Sequence, residues 1–219
     1  MNQVLLAAGG AVVGAAGGWL VRWGSVKLAV MEELEPGHKP WQVYGPPAVT
    51  AVLFAAFAFT ERSIPLLVLD CVCVLILVQV IFFDLEHRLI LDRVMFPSML
   101  AALVVSVIWR PVGEWGSTDT HRWDGIATGI AAALLFLLLG LVGQAIFKAE
   151  AMGFGDVKFA LFMGLVLGPL ATVQALFYGV LLAGVVSIGV IVWTRSMRGT
   201  IAYGPYLAAG TLIMLFRPG

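Results

Sequence analysis

Charged side chains are scarce in this chain. Asp, Glu, Lys and Arg make up 12% of its 219 residues, against about 25% in an ordinary soluble domain. With 61% of the residues apolar, too little polar surface remains to cover a fold in water. Net charge is zero, which removes the electrostatic footprint of a nucleic-acid binder. Cysteine is almost absent. Cys71 and Cys73 stand two apart in an apolar run, so a helix turns them to different sides and they make a poor metal site. They read as buried or lipid-facing thiols. Tandem soluble repeats and low-complexity tails are missing as well.

What is abundant is apolar sequence, with a mean hydropathy of +0.99. Its natural solvent is lipid, where each backbone polar group must be paired within its own segment or barrel. Long apolar runs, rather than alternating ten-residue segments, predict helices. The fold class expected is therefore all-α and polytopic, with about eight spans at 4–21, 46–59, 64–83, 94–109, 125–147, 159–168, 170–193 and 201–216. The second and sixth are short for a crossing of about 20 residues, and Gly168-Pro169 blurs one boundary, so six or seven spans stay open. No basic residue precedes the first run, which reads as a retained transmembrane helix rather than a cleaved signal.

Small residues recur inside the runs, as at Gly9-Gly10, Gly14, Gly17-Gly18, Gly125 and Gly129. They predict close helix–helix approach, with the first helix packing on its glycine face. The stretch 22–45 holds Glu32, Glu33, Glu35, His38 and Lys39 and reads as a loop or a short segment lying on the membrane. Eight spans place nine of the thirteen Lys and Arg on one side: Arg22, Lys27, Lys39, Arg88, Arg93, Lys148, Lys158, Arg195 and Arg198. The positive-inside rule makes that side cytoplasmic, and the turns carrying Asp84 and Asp156 both fall there. Trp109, Trp115, Trp123 and Trp193 fit an aromatic belt.

Ionisable groups at membrane depth cost at least about 2.5–3.5 kcal/mol each, so Asp70, Asp84, Asp92, Asp124 and Asp156 each need a reason. Asp70 reads as a packing or water-contacting group, and Asp124 as an N-cap beside an interfacial Trp123. Asp84 closes a long apolar run and opens Asp84-Leu-Glu-His-Arg-Leu-Ile-Leu-Asp92. Glu86, His87 and Arg88 read most simply as a solvated loop, with Glu86 able to grip a basic peptide. Asp156 follows Gly153-Phe154-Gly155. Glycine there allows close backbone approach and leaves room beside the carboxylate for an extended peptide, and a helix start favours negative charge. Lys158 anchors the segment or tunes that carboxylate. Two carboxylates on one side suggest an acid–base pair, one protonated and one ionised, that titrates as a unit.

Gly153-Phe-Gly-Asp-Val-Lys158 resembles the Gly-x-Gly-Asp signature of type IV prepilin leader peptidases, which are polytopic aspartyl peptidases. The string from Asp84 to Asp92 looks like that family's other motif, with Leu91 where a proline often stands. Ile201-Ala-Tyr-Gly-Pro-Tyr206 is similar to its late Pro-Phe-Gly-Pro-Phe element. The resemblance covers roughly residues 46–216. It implies a first helix and short cytoplasmic loop at 1–45 and a membrane peptidase domain at 46–219. It implies Asp84 and Asp156 as the catalytic pair, with Gly153, Gly155, Lys158, Asp92 and Glu86 shaping the site or holding substrate. No metal or other cofactor is expected. The implied partners are the lipid bilayer and the leaders of prepilins or pseudopilins, cut on the cytoplasmic side of the inner membrane just after a glycine.

Many bacterial members carry a zinc-binding domain with two Cys-x-x-Cys pairs after the first helix and also N-methylate the new terminus. Residues 22–45 contain no cysteine, so the resemblance implies the peptidase and leaves methyl transfer open. Two alternatives compete. A presenilin-like intramembrane protease shares Gly-x-Gly-Asp but usually has Tyr-Asp in the earlier helix, where this chain has Phe83-Asp84. A small transporter would use Asp70, Asp84 and Asp156 as a proton relay and would show inverted repeats, which this hydropathy lacks.

Overall fold

A computed structural model of the chain describes residues 3–60, 63–108, 123–148, 153–194 and 202–216. Eight helices and no strand lie among the described residues: α1 Gln3–Met31, α2 Pro40–Thr60, α3 Ile64–His87, α4 Asp92–Ile108, α5 Asp124–Phe147, α6 Phe154–Leu167, α7 Pro169–Thr194 and α8 Gly204–Leu215. Five of them, α1, α2, α3, α5 and α7, are long and apolar enough to cross a bilayer. Large apolar side chains stay exposed in runs, such as Leu134, Leu135, Leu137, Leu138 and Leu139 on α5. That surface fits lipid and not water, and the chain is a multi-pass membrane protein.

Several helices reach further than hydropathy predicts. The segment 22–45 is not one loop. α1 continues to Met31, carrying Arg22 and Ser25 into its buried face. It stops because Glu33 adopts φ 57°, and the Glu33 and Leu34 amides donate to the Val30 and Ala29 carbonyls, closing a Schellman turn without glycine. α2 begins at Pro40, where a missing N–H costs nothing, and Gln42 Oε1 accepts from the Lys39 amide at 2.8 Å, half of a capping box. α5 starts at Asp124 with Trp123 at the cap position, one residue earlier than the expected Asp124 cap. At Gly168, φ is 77° and ψ −178°, a conformation essentially restricted to glycine. Pro169 then opens α7, so 159–168 and 170–193 are separate helices with a one-residue hinge.

The chain divides into two compact units, one built on α1–α3 with Phe216, the other spanning Leu89–Leu215. In the first, α1 and α2 run antiparallel along a glycine seam. A methyl group added at Gly10 would lie 2.8 Å from the Phe54 carbonyl oxygen, and one at Gly14 2.5 Å from that of Thr50. The Thr50 hydroxyl is 2.7 Å from the Gly14 carbonyl oxygen, binding the helices within the seam. α3 is the innermost helix of this unit: Val74, Leu77 and Val78 are fully buried, and Asp70 is buried with them. Ser25 and Gln79 pair across α1 and α3 at 2.9 Å.

In the second unit α6 is innermost, with Phe159, Phe162, Met163 and Leu167 essentially inaccessible. α5 reaches it through Gly129, where an added methyl would sit 2.8 Å from the Leu161 carbonyl oxygen. α8 packs on α7 through Gly179 and Gly210. Trp123 and Trp193 are exposed, as belt residues require, while Trp109 and Trp115 lie outside the described residues.

The glycine seam is directly testable. Gly14→Ala should destabilise the protein by about 1–3 kcal/mol through overpacking. Gly9→Ala, at a position with nothing within 4 Å among the described residues, should change it by less than about 0.5 kcal/mol. Unfolding titrations in detergent would compare the two, and equal effects would refute the seam.

Candidate active site

Asp84 lies in the last turn of α3 and is 5% exposed. The turn after it is fixed by Arg88, whose φ is 54° and whose amide donates to the Asp84 carbonyl oxygen at 2.8 Å. A non-glycine residue in the left-handed region gives this end of α3 an abrupt stop.

Glu86 and His87 are not a solvated loop; they belong to α3. The Glu86 side chain is only 7% exposed, and Arg22 Nη1 approaches its Oε2 at 3.4 Å. The other carboxylate oxygen accepts from the Gly37 amide, while Arg22 Nη2 donates to the Gly37 carbonyl oxygen. His87 Nε2 stands 3.3 Å from Glu86 Oε1, and its ring packs on Phe83 with centroids 4.7 Å apart. A β-carbon at Gly37 would meet the end of the Gln42 side chain, which would have to swing aside. The result is a clamp that ties the 32–39 connection to the end of α3 bearing Asp84, and the Glu86 carboxylate is spent inside it.

Asp156 lies in the first turn of α6, with Gly153 at the cap. Its amide donates to the Gly153 carbonyl oxygen at 3.1 Å. The two signature glycines differ in role. Gly155 is pressed on the segment before α4: a methyl there would lie 2.8 Å from Ile90 Cβ, so the space beside it is filled by protein. At Gly153 an added methyl would meet nothing among the described residues nearer than Asp156 Oδ2 at 3.7 Å. Among the described residues a side chain is therefore tolerated at Gly153 and excluded at Gly155. Met152 lies outside the described residues.

Lys158 pairs with Asp92 Oδ1 at 2.5 Å and sits over the rings of Phe96 and Phe154 at 4.9 and 4.8 Å. Two residues 66 apart in sequence thus meet where α4 and α6 begin. Tyr203, just before α8, is a neighbour that motif reading quoted without assigning a role. Burial first, and then the negative charge of Asp156, push its phenol above the usual tyrosine range. Its residue type within the 201–206 element was the only available signal; Ile201 itself lies outside the described residues. Asp84 belongs to the first unit and Asp156 to the second. Among the described residues, no group of three or more His, Cys, Asp or Glu is placed to hold a metal ion.

These features define a helical membrane protein with a buried carboxylate closing one helix and a second carboxylate opening another behind Gly-x-Gly. The sequence profile of the type IV leader peptidase family matches residues 71–188, which include Asp84, Asp92, Asp156 and Lys158. The chain belongs to that family. It is 30% identical over 144 residues to a prepilin leader peptidase/N-methyltransferase of Myxococcus xanthus, covering 64% of this chain and 39% of that protein. It is 28% identical over 173 residues to the Bacillus subtilis protein of the same name, covering 75% and 62%. The Aeromonas salmonicida protein of that name is 27% identical over 145 residues, covering 64% and 46%. The chain thus spans between 39% and 62% of the length of these relatives. No solved structure matches it.

The clamp predicts a sharp asymmetry. Glu86→Ala strands the buried Arg22 guanidinium and should cost about 3–5 kcal/mol, whereas an apolar pair, Arg22→Met with Glu86→Leu, should cost far less. Detergent unfolding of the three proteins checks this; a mild effect of Glu86→Ala would show the pair to be solvated.

Proposed function

We propose that this protein is a membrane aspartyl endopeptidase that removes the leader of type IV prepilins or pseudopilins. Asp84 and Asp156 activate the attacking water, and the cut falls after a glycine. The observation that carries the reading is the mounting of the two aspartates. Each sits at the end of a helix that packs at the centre of its unit, α3 and α6, inside the stretch matched by the peptidase family. A rigid scaffold under a reactive group is what oriented catalysis needs.

The helix ends suggest how the roles divide. A helix dipole favours negative charge in the first turn and disfavours it in the last. Asp156 opens α6 and Asp84 closes α3. Asp156 is accordingly assigned as the ionised general base that takes a proton from water. Asp84 is the protonated partner that donates to the scissile carbonyl oxygen. The tetrahedral intermediate then collapses with proton transfer to the leaving amine. Gly153 supplies the open side along which the extended leader would lie. Nine of thirteen basic residues favour placing these turns on the cytoplasmic side of the inner membrane. The proposal covers peptide hydrolysis, the step that two carboxylates can carry.

The test uses the purified full chain in detergent or vesicles and a synthetic peptide with a basic leader, a glycine and a hydrophobic helix. Mass spectrometry should place the new N-terminus immediately after the glycine. Asp84→Asn and Asp156→Asn should each lower the rate by about 10²–10⁴-fold, the scale of acid–base catalysis, while leaving expression intact. Cleavage retained by either variant, or a cut in mid-helix, would overturn the reading.

A further inference from the structure

The start of α6 is fastened to α4 and the segment just before it on both sides of Asp156. On one side Gly155 meets Ile90, with no room for a β-carbon. On the other, Lys158 reaches Asp92 in the first turn of α4. Its ammonium also lies over Phe96 of α4 and Phe154 of α6. An exposed ion pair alone is weak. Here the Lys158 side chain is 14% exposed against 56% for Asp92, and two aromatic rings lie against the cation, which strengthens the contact. Beyond this turn α6 is locked by Phe159, Phe162 and Met163, all buried. Phe154 is exposed, so the first turn projects past that core.

Lys158 stands two residues from Asp156, and its charge could have served to neutralise that carboxylate. The ammonium is committed elsewhere. We propose that Lys158 is a positioning residue: with Asp92, Phe96 and Phe154 it forms a latch that holds the first turn of α6, and so Asp156, at a fixed height against α4. This inference rests on the reading of Asp156 as a catalytic group. In it Asp92 acts through Lys158 and not on the substrate.

The test compares Lys158→Met, Asp92→Asn, their combination, Lys158→Arg, and the exchange Lys158→Asp with Asp92→Lys, all as the full chain in detergent or vesicles. In peptide cleavage, Lys158→Met and Asp92→Asn should each lower kcat by about 10- to 100-fold, the scale expected for a small misplacement of a reacting group. KM should stay within about 2-fold, because the loss falls on the transition state. The double variant should be no worse than the poorer single one, since both break one contact. The exchange should regain part of kcat, and Lys158→Arg should stay close to wild type. The pH profile of kcat should not move; a shift would mean that Lys158 tunes Asp156 directly and would overturn the latch.

A second arm needs no cleavage. In a chain with Cys71→Ser and Cys73→Ser, the thiol of an Asp156→Cys variant is labelled with maleimide, with Lys158 intact or changed to Met. A latch predicts a changed labelling rate on its release; an unchanged rate overturns it. If the wild-type chain cuts no leader peptide, the proposed function fails and the labelling arm alone decides the latch.

Discussion

Ionisable groups in an apolar chain must be matched inside the protein, and that constraint organises this structure. Water is not at hand to solvate a charge at membrane depth. The chain meets the demand by letting backbones touch and by pairing polar side chains across helices, as the described residues show. Glycine at 10, 14 and 18 brings α1 onto α2; glycine at 129 and 164 brings α5 onto α6. Close approach then puts Ser25 within reach of Gln79, and Arg22 within reach of Glu86 and the Gly37 peptide. The Arg22 tie ends two residues from Asp84. In the other unit, Gly155 on Ile90 and Lys158 on Asp92 serve Asp156 in the same manner.

The two aspartates are thus set differently from the aspartates around them. Asp70 is buried in the second turn of α3, Asp92 is committed to a lysine, and Asp124 opens α5. Asp84 and Asp156 occupy helix ends of opposite polarity on the central helices α3 and α6. Opposite polarity gives a physical reason for one carboxyl to stay protonated while the other is ionised, as acid–base catalysis requires.

Much of the fold was legible in the sequence because hydropathy and membrane thickness leave little choice. Eight apolar runs became eight helices among the described residues, and the α5 boundaries moved by a single residue. Helix ends were less legible. α1 runs ten residues past its apolar stretch because nothing in 22–31 breaks a helix, and Glu33 rather than a glycine makes the stop. At the site, the aspartates and the Gly-x-Gly turn were readable as local motifs. The contacts that hold them were not. Lys158 with Asp92 spans 66 residues and Arg22 with Glu86 spans 64, and no periodicity encodes such pairs. Glu86 shows the cost most plainly: its charge suggested a grip on a basic peptide, yet its carboxylate is occupied by Arg22 and Gly37.

The central claim is that Asp84 and Asp156 act on one water. The most direct test replaces both by cysteine in a chain carrying Cys71→Ser and Cys73→Ser. Membranes are then treated with a bifunctional thiol reagent shorter than one helix diameter, about 10 Å. The account predicts an intramolecular bridge between positions 84 and 156, increased by a leader peptide that draws the site together. Two thiols that each label readily but never bridge, with or without the peptide, would contradict it.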